Sequence, residues 1–210
     1  MKDLYTVGDG PLLVLLDDAE TAEKVLPALT RGSLLAFPAE DWDRELTPWP
    51  APGLGKGRET FGGEGEVFLK SLTAAVEEAK AALSSPPTAV GLLGYSLAGL
   101  FALWAGTRTE EFSLLASVSG SLWYDGWCEY LEGHPCRAGR VYLSLGEKEP
   151  KAKNPRMGRV GACAERTEAL LKASGAETRL DWNPGGHFND PEGRVRRAVA
   201  WLLGESGGEA

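Results

Sequence analysis

Short aliphatic runs without a charge recur along this chain: LLVLL within 11–18, SLLAF within 33–38, AVGLLGY within 88–95, FSLLASV within 112–120 and VYLSL within 140–146. A strand with one wet face alternates apolar and polar residues. A continuous apolar run needs both faces covered, which is the signature of a parallel sheet between helices. The longer segments between the runs step their apolar residues by three and four. Over 64–83, Phe68, Leu72, Ala75, Val76, Ala79 and Leu83 make one stripe. Further helices are predicted from Ala19 to a stop near Gly32, directly after Ser96, over 157–175 up to Gly175, and over 190–204 with Val195, Val199 and Leu202 inward. A last strand is predicted from Glu177. This rhythm predicts one α/β domain over 1–204, a mostly parallel sheet with helices on both faces and right-handed crossovers. Residues 205–210 read as a frayed tail.

Ligands of such a sheet bind beyond the carboxyl ends of its strands. Segment 39–63, rich in Pro, Gly and Trp, is too long for a plain connection and reads as a functional loop. The chain has 210 residues, 43% of them hydrophobic, enough for one sizeable core. Its net charge of -8, with no basic cluster, argues against nucleic acid or anionic membrane as a partner. Cys128, Cys136 and Cys163 are odd in number and lack metal spacing, so neither a disulfide framework nor a metal site is expected, and no cofactor is called for. The start, MKDLYTVGDG, lacks the apolar stretch of a signal peptide, and no apolar run approaches the ~20 residues of a membrane span. A cytoplasmic location is the expectation.

Within GLLGYSLAGL (91–100), Ser96 stands where a predicted strand meets a predicted helix. That is the place of a nucleophile elbow, G-x-S-x-G, whose tight turn needs small residues two before and two after the serine. Gly94 fits; Ala98 departs from the pattern by one methyl. The competing reading makes Ser96 an ordinary helix N-cap. A serine nucleophile needs a base. The chain has two histidines. His187, in WNPGGHFND after the last strand, opens on the same sheet edge as Ser96 and is preferred to His134. An acid must then hold the imidazole. The loop SLGEKEP offers Glu149, preferred, and Glu147. Backbone N–H groups must meet an oxyanion; Leu97 supplies one, and the loop after SLLAFP, around Ala39 or Glu40, is expected to supply the other.

WDRELTPWPAPGL, GGEGEVFLKSL, GYSLAGLFALW, SVSGSLWY, YLSLGEKEPKAKNPRM and PGGHFNDP, in this order from about Leu34 to Leu203, together resemble a family of esterases. That family includes enterochelin-type trilactone esterases and S-formylglutathione hydrolases. The resemblance implies an α/β-hydrolase fold and serine esterase activity, with Ser96 as nucleophile and His187 as base. It leaves the acid open, because some trilactone esterases work with a Ser–His pair. It also implies that the first strands of the fold are missing or reduced in so short a chain. The expected substrate is a small-molecule carboxylic or thiol ester. A catalytically silent binding protein and an acyltransferase are the alternatives. Trp123, Tyr124, Trp127 and Tyr130 are candidates to wall a pocket, against the plainer reading of core packing. Arg44 is a candidate to fix an anionic group, against the plainer reading of a salt bridge tethering its loop.

Overall fold

Each aliphatic run forms a strand in the computed structural model, which describes residues 3–55 and 60–205. In chain order the elements are β1 (Leu4–Thr6), β2 (Leu12–Leu15), α1 (Ala19–Val25), β3 (Ser33–Ala36), α2 (Trp42–Glu45), α3 (Gly65–Ala82), β4 (Val90–Tyr95), α4 (Leu97–Arg108), β5 (Leu114–Val118), α5 (Trp127–Gly133), β6 (Arg140–Gly146), α6 (Val160–Ala173), β7 (Glu177–Asn183) and α7 (Pro191–Leu202). The sheet order is β1-β3-β2-β4-β5-β6-β7. Every pairing is parallel except β1 against β3.

The two-residue period of each strand divides the core. Leu12, Val14 and Leu92 point to the face covered by α3, α4 and α6; Leu13, Leu15 and Leu93 point to the face covered by α1 and α7. The α3 stripe packs as predicted, with Phe68, Leu72, Ala75, Val76 and Ala79 buried. Val195, Val199 and Leu202 of α7 turn inward. Helix α4 is buried along its length from Leu97 to Thr107, so the turn that carries Ser96 is anchored in the middle of the molecule. Each fully buried leucine of this kind contributes about 1.5–3 kcal/mol.

Two elements lack a clear sequence signal. β1 is a three-residue edge strand, too short for an alternation to register. α5 begins in an aromatic run that reads equally well as a loop wall. The helix predicted from residue 157 opens as a 3-10 turn, Met157–Arg159, before α6. Segment 39–63 carries the short α2, capped by Asp41, and folds back through an Ala51–Phe61 bridge. Most of the tail predicted to fray, 206–210, lies outside the described residues. Among the described residues no helix is long and apolar enough to cross a membrane.

Candidate active site

β4 delivers Ser96 to the carboxyl edge of the sheet with φ 58° and ψ -119°, and α4 starts at the next residue. A non-glycine residue held there costs about 1–3 kcal/mol. An ordinary N-cap has an extended backbone and a side chain bonded to the helix. Ser96 has neither, for its side chain makes no cap hydrogen bond. The turn explains its neighbours. A Cβ at Gly94 would lie 2.6 Å from the Ala98 Cβ and 2.5 Å from its carbonyl carbon. A side chain at 94 would thus meet the Ala98 backbone itself, and glycine there is what lets the turn close.

Ser96 Oγ lies 3.1 Å from His187 Nε2 and 3.3 Å from Ser121 Oγ. His187 stands in the loop from β7 to α7, and its Nδ1 lies 2.8 Å from Glu149 Oε2. The Tyr95 hydroxyl donates to the His187 carbonyl, which pins the loop to the strand carrying the elbow. Glu149 opens a 3-10 turn just after β6 and is buried. Its other oxygen, Oε1, accepts the Gly146 N–H at 2.7 Å and Arg194 Nη1 at 3.2 Å. Burial pushes this carboxyl up, but the hydrogen bonds from His187 and the Gly146 N–H outweigh it and hold it below the usual range. Glu147 faces solvent. His134 caps α5, stacked on Tyr130 with ring centroids 4.0 Å apart.

Beside this chain of hydrogen bonds lies a cavity of about 790 Å³. Ser96, Leu97, Ser121, His187 and Trp123 line it, with Asp43, Gly53, Leu54, Phe61, Asn154, Met157 and Phe188 completing its walls and rim. Of the four aromatic candidates, Trp123 lines it. Trp127 is fully buried and donates to Thr167 Oγ1. Tyr124 is buried with its hydroxyl on the Trp49 carbonyl. Tyr130 packs on Trp49 and His134. Tyr124 and Tyr130 pack on segment 39–63 and Trp127 ties α5 to α6; none of the three lines the cavity. Arg44 pairs with Glu64 at the surface and does not line the cavity; it tethers its loop.

The Leu97 N–H is at the first helical position, where no intrahelical acceptor exists. Ala39 is displaced from the place expected for it by the strand order. The neighbour of β4 on that side is β2, and β3 is one strand further out. The loop that opens next to Ser96 is therefore Leu16–Asp18. There the Leu16 N–H is taken by the Leu93 carbonyl and the Asp18 N–H by Asp17 Oδ1. Asp18 itself caps α1 through the Thr21 N–H.

Sequence reasoning missed Ser121, Phe188 and Arg194. Ser121 carried a signal, since it follows a strand on the active edge; Phe188 adjoins His187. Arg194 carried none, because RVRR reads as a solvated face.

A strained serine at a strand–helix turn and this seven-stranded sheet make the chain an α/β-hydrolase fold. Solved structures similar to it include esterases and siderophore hydrolases. The enterobactin esterase of Shigella flexneri is 20% identical, with a TM-score of 0.70 over 96% of this chain and 54% of that one. The siderophore hydrolase EstA of Aspergillus nidulans is 19% identical, with a TM-score of 0.67 over 95% and 84%. The Bacillus cereus carboxylesterase is 19% identical, with a TM-score of 0.65 over 96% and 92%. In sequence, the chain is 31% identical over 145 residues to the uncharacterized protein YbbA of Bacillus subtilis, matching 66% of this chain. It spans 56% of that relative's length. No family model matches.

Proposed function

We propose that this protein is a serine esterase cleaving a small-molecule carboxylic or thiol ester through an acyl-enzyme. The observation that carries the reading is the unbroken series Glu149–His187–Ser96 opening into the cavity. His187 Nδ1–H donates to the Glu149 carboxylate, which leaves Nε2 as the acceptor for the Ser96 proton. Ser96 Oγ attacks the ester carbonyl as its proton passes to Nε2. The Leu97 N–H meets the oxyanion, and the Asp17 N–H is the second donor by position. His187 returns the proton to the leaving alcohol or thiol, and water repeats the sequence to release the acid. Glu149 stays ionised and stabilises the imidazolium. Its low ionisation range supports that role. The resemblance to siderophore hydrolases and carboxylesterases supports the ester and leaves the acyl group open. Three unpaired cysteines fit a reducing compartment such as the cytoplasm.

The reading is tested with purified protein on a panel of carboxylic and thiol esters, with Ser96→Ala as blank. Turnover by the natural protein and its absence in the blank are expected. Turnover of no ester, or equal turnover in the blank, contradicts it.

A further inference from the structure

Arg194 is the one arginine of α7 that points into the molecule. Its side chain is 0% exposed. A guanidinium cannot shed its charge, so burial demands hydrogen-bond partners; both Nη groups have them, while the buried Nε has none among the described residues. Nη1 donates to Glu149 Oε1 at 3.2 Å and to Ser119 Oγ at 2.7 Å. Nη2 donates to the carbonyls of Pro184 at 3.2 Å and Gly186 at 2.9 Å. These partners come from the three loops that follow β5, β6 and β7. One of them is the acid, and two are backbone groups just before His187. The fold makes room for this fork: a Cβ at Gly146 would sit 2.9 Å from Nη2 and 2.6 Å from the Gly185 carbonyl.

We infer that Arg194 is a positioning residue for the reaction: through Glu149 and the Gly186 carbonyl it fixes the separation of acid and base and keeps the acid ionised. The inference rests on the esterase reading above. A purely structural arginine could bind any carbonyls. This one divides its fork between the acid and the base's own loop, so displacing it moves both ends of one hydrogen bond. Glu149 Oε1 is occupied by Arg194 and the Gly146 N–H, which leaves Oε2 for His187. A proton added to the Glu149–His187 pair would have to sit beside this fixed positive charge. The other polar groups facing the pair are the Tyr95 hydroxyl on β4, Ser119 on the β5 loop and Ser96 itself. Lys148, next to Glu149, is exposed, with its backbone N–H on the Gly185 carbonyl. Arg194 is thus the buried cation at the pair. Its removal favours protonation of the pair and moves the acid limb of the pH–rate profile to higher pH.

The test is the pH dependence of Ser96 labelling by a fluorophosphonate and of ester turnover in Arg194→Met and Arg194→Lys. In folded Arg194→Met, kcat is expected to fall at least tenfold with KM changed little, and the acid limb to move upward. Arg194→Lys, which keeps the charge and loses the fork, is expected to restore the limb but only part of kcat. An acid limb unmoved in folded Arg194→Met overturns the inference, and so does wild-type kcat. Should Arg194→Met fail to fold, Arg194→Lys decides alone, and full turnover in it overturns the inference. Failure of the natural protein itself to label or turn over would instead overturn the esterase reading.

Discussion

At the residue scale, the elbow couples chemistry to strain. Ser96 is held at φ 58°, a conformation that glycine adopts freely. Ser96→Gly is therefore expected to stabilise the fold by about 1 kcal/mol. In a thermal melt that is about 2–4 °C for a chain of this size. The same change is expected to abolish fluorophosphonate labelling. A variant that melts lower than the natural protein would contradict the strain. Phe188 gives a second prediction. It is 89% exposed, lines the cavity and meets the His187 ring edge-on. Phe188→Ala is expected to change stability by less than about 0.5 kcal/mol while raising KM several-fold for esters with a bulky apolar group. Equal KM values for bulky and small esters in both proteins would exclude a substrate contact. Ser96 and His187 were legible in the sequence because nucleophile candidates at strand ends and histidines are few. Between Glu147 and Glu149 the sequence supports a preference for Glu149 by position alone, because a single turn of backbone after Gly146 decides which carboxylate points inward.

At the scale of elements, the connection after β6 carries a pH-sensitive carboxyl. Glu149 ionises more easily in the folded chain than its ordinary value of 4.5. A carboxyl depressed by folding contributes stability above its unfolded value and loses it as the pH falls through the folded one. Thermal stability should thus decline below about pH 4.5, and Glu149→Gln should show a shallower decline together with a lower midpoint at pH 7. An acid decline of the same steepness in both proteins would mean that other carboxyls carry it. The long elements were legible because their apolar period repeats over many residues, as in α3 and β6. β1 and α5 were not. The first is three residues long, and the second draws its burial from Trp127 and Leu131, whose packing against α6 is a tertiary matter. Packing on α6 draws Trp127 from the cavity, packing on Trp49 draws Tyr124 and Tyr130 from it, and Trp123 is left at its wall.

At the scale of the whole molecule, the order of strands decides which loops meet. The alternation of strand and helix predicts a parallel sheet but says nothing of which strand lies beside β4. The crossover that puts β2 there moves the expected oxyanion loop from Ala39 to Leu16–Asp18, a result of topology that no local pattern carries. Glu149, His187 and Ser96 come together for the complementary reason: β4, β6 and β7 all run parallel and end on one edge. The most direct measurement is the mass and site of the adduct formed with a fluorophosphonate at neutral pH. One adduct per chain, mapped to Ser96 and reduced at least a hundredfold in rate by His187→Ala, is the expected result. An unlabelled natural protein, or an adduct on another residue, would contradict a serine nucleophile activated by His187.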